Sequence, residues 1–464
     1  MDTHWLRIVV VGHVDHGKST LIGRLLHDSG ALPDGRLEEI RSGSSGGDLE
    51  WAFLMDHFHE EREQERTIDS SQAFFTTPKR VYRIIDAPGH REFLKNMVTG
   101  AAQADAAILV VDVEAGVLEQ TRRHVAMLAM LGPRRVIAAI NKMDRVEGRR
   151  ESFEAVSAAT LALLQQTGIA AHGVIPISAR HGWNLASRAA PLEWHDGPTL
   201  FDALDSLAPP EPLSGQPLRF PVQDVYERNG RKILVGRIES GRLAQGQTVV
   251  RLPSGQTARI ASVEKFMENP TSAEAGESIG LTLDQKPESQ AGSLFRISHQ
   301  SIIEATRCSR RSDEADAFPP ATCPPHHCGG YSDGEKCWLF HQVRRGIVLC
   351  DPGSPAPVAR RFEANLLWLA NRGWAQGDGL VLRCTTQESS CRIEAIRQRI
   401  NSSTLEVVET DAKRLEATEV GHGVIALEQP IAVEEFAGGK PLGRFVLMKD
   451  HELCAGGTVT RVLE

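Results

Sequence analysis

At 464 residues the chain is too long for one hydrophobic core, and two to four domains are expected. With 41% hydrophobic and 24% charged residues it reads as ordinary soluble globular protein, and no apolar run approaches the roughly 20 residues of a membrane span. The net charge of −8 argues against a generally basic nucleic-acid binder while leaving room for a local basic patch. The opening Met1-Asp2-Thr3-His4-Trp5 lacks a basic-then-apolar pattern, which predicts a cytoplasmic protein with no membrane partner. All eight cysteines follow residue 307, and four fall between Cys308 and Cys337. In a cytosolic chain such clustering suggests metal before disulfides.

A β-branched apolar strand is predicted over Leu6–Val11. It is followed by Gly12-His13-Val14-Asp15-His16-Gly17-Lys18-Ser19-Thr20 and an amphipathic helix to about His27. Further strands are expected at Val81–Ile85, Ala106–Val111, Val136–Ile140 and Val174–Ile177, with helices at Glu119–Leu131 and Glu151–Gln166. Strands alternating with helices predict a mostly parallel sheet covered on both faces. Ala208-Pro209-Pro210-Glu211-Pro212 reads as a stiff linker. Short strands at Lys232–Ile238, Gln247–Leu252 and Ala258–Val263 then predict a small β-barrel. A second β-rich module runs from Arg344, with strands at Gly379–Arg383, Gly423–Ala426 and Gly443–Met448. Between them, residues 286–341 are polar and rich in proline and cysteine, and read as an insertion. The fold class expected is an α/β P-loop domain (1–208) followed by two β-barrel domains (213–343 and 344–464).

Gly12-x4-Gly17-Lys18-Ser19 between a strand and a helix is the pattern of a phosphate-binding loop. Its glycines let backbone amides converge on phosphates, and the helix N-terminus adds a favourable dipole. Lys18 is expected to reach the β- and γ-phosphates and the Ser19 hydroxyl to ligate Mg²⁺. Asp86-Ala87-Pro88-Gly89-His90 follows an apolar strand, which puts Asp86 where it holds magnesium through water and the Gly89 amide where it senses the γ-phosphate. Asn141-Lys142-Met143-Asp144 ends another strand, and its carboxylate suits the N1–H and 2-amino donors of guanine, which adenine lacks. Ser178-Ala179-Arg180 is expected to close over the base. Together these motifs imply a guanine-nucleotide site.

The chain resembles the translation-factor class of GTPases over nearly its whole length. Asp86 to Met97, reading Asp-Ala-Pro-Gly-His-Arg-Glu-Phe-Leu-Lys-Asn-Met, is similar to the second switch of elongation factor 1-alpha and its relatives. The resemblance implies that His90 orients the attacking water and that Thr67 caps the magnesium. Asp15 matches a position that helps bind a monovalent cation in some relatives. Where relatives read Gly-Ile-Thr, this chain has Glu65-Arg66-Thr67. In the family that isoleucine faces the valine matched here by Val14, and the two screen the histidine from the water. Arg66 replaces that apolar gate with a guanidinium, which would act as an arginine finger in cis, or else point to solvent or pair with a nearby acid such as Glu63.

Within the class, the segments Gly116–His124, Val358–Trp368 and Arg399–Glu406 resemble the large subunit of bacterial sulfate adenylyltransferase. That subunit hydrolyses GTP to drive adenylyl sulfate formation, while a separate small subunit, the expected partner, transfers the adenylyl group. The histidines of Gly12-His13-Val14-Asp15-His16-Gly17 and the segment Pro441–Phe445 look more like elongation factor 1-alpha, which would make tRNA the partner. The third module weighs more, because partner choice usually lies outside a shared nucleotide site. Cys308, Cys323, Cys328 and Cys337, with His326, His327 and His341 nearby, supply enough soft ligands for one zinc ion, although their spacings are not those of a tight knuckle.

Overall fold

The computed structural model describes residues 5–31, 72–86, 104–133, 135–209, 212–228, 230–265, 268, 270–284, 344–436 and 440–463, with the backbone alone at Gln72, Asp86 and Leu131. Residues 1–216 and 356–464 form one compact unit and residues 217–355 another.

The first part of the larger unit is a six-stranded sheet. Its strands are β1 (Leu6–Gly12), β2 (Gln72–Thr76), β3 (Val81–Asp86), β4 (Ala106–Asp112), β5 (Val136–Asn141) and β6 (Ala171–Pro176), in the order β2-β3-β1-β4-β5-β6. All neighbours run parallel except β2, which pairs antiparallel with β3. β4 and β5 are buried at every position, as strands covered on both faces must be. Alternation along β1 sends Ile8 and Val10 to a core with Leu21, Ile22 and Leu25 of α1 (Lys18–Asp28) and with Leu200 and Leu204 of α4 (Leu200–Ser206). Val9 and Val11 face the opposite core, with Val125 and Leu128 of α2 (Glu119–Leu131) and Leu163 and Leu164 of α3 (Arg150–Gln166). That second core also takes in Leu367, Leu369 and Val420 from the C-terminal module.

The smaller unit is a closed barrel. β7 (Arg219–Arg228), β8 (Arg231–Arg237), β10 (Thr248–Leu252), β11 (Gln256–Glu264), β13 (Ser278–Leu283) and β14 (Val348–Cys350) close in the order β10-β11-β13-β8-β7-β14, beside a two-stranded ribbon of β9 (Arg242–Ala244) and β12 (Ser272–Glu274). β14 pairs with both β7 and β10, so the stretch after the insertion completes this barrel, and the compact unit extends to Pro355, past the division drawn at residue 343.

In the C-terminal module, β15 (Val358–Trp368), β17 (Leu380–Cys384), β18 (Gln387–Ile400), β21 (Val420–Ala432), β22 (Arg444–Lys449) and β23 (Glu452–Val462) form a ring, closed by pairing of β17 with β18. β19 (Val407–Ala412) lies outside it on β18, and a small ribbon of β16 (Trp374–Ala375) and β20 (Arg414–Leu415) is separate. The fold class is therefore the one expected, an α/β domain and two β-barrels. Cys350, Cys384, Cys391 and Cys454 are buried, and burial pushes Cys384 and Cys391 up to about 12. Among the described residues no helix is long and apolar enough to cross a membrane.

Candidate functional site

Four strand ends converge where the sequence places the site. β1 and β3 are register neighbours, with Val10 opposite Asp86, so the end of β3 lies beside the strand that feeds the phosphate loop. β4 ends at Asp112 opposite Asn141 of β5. This is the carboxyl edge of a parallel sheet, at the point where connections leave to opposite sides.

The loop from Gly12 to Gly17 turns into α1 with Gly17 as its N-cap, at φ 89°. A Cβ on Gly17 would sit 2.5 Å from Asn141 Nδ2, so left-handed backbone and close approach both require glycine here. Lys18 Nζ donates to the His13 carbonyl at 2.8 Å and so lies across the loop it belongs to. Asp15 also holds a left-handed conformation, at φ 65°. Ser19 and Thr20 follow in the first turn of α1. His16 behaves differently from its neighbours. Its side chain is buried against β4, where Nδ1 faces the Val110 carbonyl and the Asp112 amide, each at 3.3 Å. Burial, assisted by His13 and Lys142, pulls its pKa down to about 4.

The base-binding side is built around Asn141, which is 2% exposed. Its Nδ2 donates to the His16 carbonyl at 2.9 Å, and its Oδ1 accepts from the Ala179 amide at 2.9 Å. Lys142, at φ 64°, pairs with Asp112 at 2.7 Å. Burial pushes the Asp112 carboxyl up, but Lys142 and the Glu114 and Ala115 amides outweigh it and hold the group below its usual range. Asp144 is the second residue of a short turn (Met143–Val146), and its Oδ1 accepts from the Ser178 hydroxyl at 2.5 Å. The Arg180 carbonyl accepts from Arg24 of α1 at 3.2 Å.

The structure thus brings together Gly12, His13, Val14, Asp15, His16, Gly17, Lys18, Ser19, Thr20, Asn141, Lys142, Asp144, Ser178, Ala179 and Arg180, with the Asp86 backbone at the neighbouring strand end. Arg66, Thr67, Gly89 and His90 lie outside the described residues, as do Cys308, Cys323, Cys328 and Cys337. Among the described residues no cluster of histidine, cysteine and acidic side chains is placed to hold a metal.

Two features escaped the motifs. Asp112 anchors Lys142, and its position at the end of an all-apolar strand was the available signal. His124 of α2 is 3% exposed, and among the described residues its Nδ1 has no hydrogen-bond partner. Burial, with Lys18, His13, Arg123 and His16 as neighbouring charges, takes its pKa down to about 3.

A glycine-shaped phosphate loop at a helix start, beside a carboxylate and amide set suited to guanine, defines the class of P-loop guanine-nucleotide proteins. Residues 3–210 match the family described as the elongation factor Tu GTP binding domain, and residues 361–460 match the GTP-eEF1A C-terminal domain-like family. Elongation factor 1-alpha of Archaeoglobus fulgidus is 34% identical over 95% of this chain and 94% of its own. That of Methanopyrus kandleri is 34% identical over 98% and 97%. The bifunctional enzyme NodQ of Rhizobium sp. is 32% identical over 96% of this chain, which spans 61% of the NodQ length. Among solved structures, sup35 complexed with GDP is 21% identical and covers 100% of this chain and 95% of its own, with a TM-score of 0.41 that is too low to bear on function. The chain belongs to the translation-factor GTPases, the elongation factor Tu and 1-alpha family, and its nucleotide chemistry is GTP hydrolysis with Mg²⁺.

Proposed function

We propose that this GTPase is the GTP-hydrolysing subunit of a sulfate adenylyltransferase, coupling its cycle to adenylyl sulfate formation by a separate small subunit. In this reading Lys18 holds the phosphates and Ser19, Thr67 and Asp86 hold magnesium, which when bound neutralises charge on the β- and γ-phosphates. His90 orients the water, and Gly89 senses the γ-phosphate. The observation that supports the reading is a contact between two of the three segments that resemble the sulfate enzyme. Arg123 of α2 donates to Ser403 Oγ at 3.1 Å, and Ser403 is held by Asn401 Oδ1 at 2.8 Å. The likeness therefore falls on one packed interface between the nucleotide domain and the C-terminal barrel. A signal that passes from GTP to a partner needs such a coupled element, because GTP biases the partner only through states that bind it differently.

The test is adenylyl sulfate yield from ATP and sulfate with the small subunit present. GTP is expected to raise the yield and a non-hydrolysable analogue to leave it low; equal yields would end the coupling role.

A second reading, delivery of aminoacyl-tRNA, is favoured by the elongation factor 1-alpha relatives, which match along almost their entire lengths. It predicts tRNA binding that weakens steeply with salt. Identifying what copurifies in stoichiometric amount from the native host, a small sulfurylase subunit or aminoacyl-tRNA, separates the two.

A further inference from the structure

His181 follows the base loop directly and is drawn back toward the base-reading carboxylate by a tight turn. The Ser178 carbonyl accepts from the amides of Gly182 at 2.8 Å and Trp183 at 3.1 Å, while the Ser178 amide donates to the Trp183 carbonyl at 3.3 Å. Gly182, at φ 76°, allows the reversal, and a Cβ there would collide with the Arg24 guanidinium. At the tip of this turn His181 Nε2 stands 3.9 Å from Asp144 Oδ2, within ion-pair reach and beyond direct hydrogen bonding. The ring also lies against Trp183, with centroids 5.6 Å apart. The His181 amide donates to Ser178 Oγ at 3.3 Å, and Ser178 Oγ in turn donates to Asp144 Oδ1. One carboxylate oxygen is thereby engaged by Ser178, and the other is overlooked by the imidazole.

Among the described residues, charged groups stand near this ring and its loop on three elements. Asp144 faces it from the turn after β5. Arg24 approaches the loop from α1, where it donates to the Arg180 carbonyl and pairs with Asp28 at 2.7 Å. Arg180 is on the same loop. Only the charged form of an imidazole competes strongly for carboxylate oxygen.

We propose that His181 is a specificity-determining residue whose protonated ring competes with the guanine 2-amino group for Asp144, so that discrimination between guanine and hypoxanthine rises with pH. Hypoxanthine lacks the 2-amino group and loses nothing to the competition, whereas guanine loses its second donor contact. The inference rests on the reading of Asp144 as the guanine acceptor.

The test compares affinities for GDP and IDP at pH about 6 and about 8. Taking the ratio of the two ligands cancels every effect of pH on the phosphates. In the unmodified protein the GDP preference should rise about fivefold or more across this interval, as expected for a charge-assisted contact restored. His181→Gln, neutral throughout, should give a high ratio at both pH values, and His181→Lys, charged throughout, a low ratio at both. Half-exposed His181 leaves room for either substitution without a folding penalty. A ratio flat with pH in the unmodified protein, or a slope that persists in His181→Gln, overturns the proposal. Asp144→Asn tested with XDP keeps the two failures apart. No gain for xanthine means that the guanine-site reading is what failed. A gain for xanthine together with a persistent slope in His181→Gln removes only the role of His181.

Discussion

Asn141 and His16 are 125 positions apart, yet the Asn141 amide donates to the His16 carbonyl at 2.9 Å in the buried heart of the nucleotide domain. The same side chain accepts from the Ala179 amide, so one amide group holds the phosphate loop and the base loop in fixed relation. The base and phosphates of one nucleotide must reach both loops at once. The spacing of the two halves of the site is thus set by a side chain that itself reads as part of a base motif.

Asn141→Ala should therefore weaken GDP binding by about tenfold or more and cost about 2–4 kcal/mol of stability, since two buried backbone groups lose their partner. Calorimetric titration with GDP and urea unfolding give the two numbers. A variant with normal affinity would show that the loops find their spacing without this bridge.

Gly17→Ala acts on the same bridge from the other side. The added methyl meets Asn141 Nδ2 at 2.5 Å and forces a left-handed backbone on a residue with a side chain. Affinity for GDP should fall by about tenfold or more, and the double variant Gly17→Ala/Asn141→Ala should lose distinctly less than the sum of the two. Additive losses would mean that Gly17 is needed for the phosphates alone.

Much of this domain is legible in the chain because its signals are local. β4 and β5 are apolar up to their last residues, β1 and β3 are interrupted only by Arg7 and by Tyr82-Arg83, and their motifs sit at strand ends, where the sheet delivers them to one edge. β2 was missed because Gln72–Thr76 is a short antiparallel edge strand with exposed Phe74, and nothing apolar flanks it. β18 alternates buried and exposed over Gln387–Glu394, but its inward positions include the polar Gln387 and Ser389, so the period-two signal is not a clean hydrophobic one. β14 could not be assigned from pattern, because its barrel partners precede an insertion of more than fifty residues. The same holds for His181, His124 and the Arg123–Ser403 contact. Each depends on chain segments that only the tertiary fold brings together.

Arg66 supplies a prediction that stands on the sequence. If its guanidinium stabilises charge on the transferring γ-phosphate, Arg66→Ala should lower single-turnover GTP hydrolysis at least about tenfold under saturating magnesium, equivalent to ~1.4 kcal/mol in barrier. Affinity for GDP, which has no γ-phosphate, should hardly change. Hydrolysis at the unaltered rate would place Arg66 among ordinary surface residues.

The last prediction concerns acid. His16 and His124 are both buried and held neutral, with pKa values drawn down to about 4 and about 3. An unfolded histidine takes up its proton near pH about 6.5, so below that value the unfolded chain binds more protons than the folded one. Folding stability contributed by these two rings is fully present above that pH. It is lost progressively as the pH falls from about 6.5 toward about 4, where His16 begins to charge in the folded state. Each ring contributes a slope of at most about 1.4 kcal/mol per pH unit, so the pair gives up to about 2.7. Asp112, whose pKa is also lowered, adds its own loss only once the pH enters the carboxylate range, so the histidine window precedes it. Urea unfolding at intervals between pH about 7.5 and about 5 measures the slope. His124→Leu should remove about half of it while keeping the apolar packing of α2, and His16→Gln a similar part. A stability profile that stays level from pH about 6.5 to about 5 would show that acid opens the phosphate loop locally and lets these rings charge without unfolding the domain.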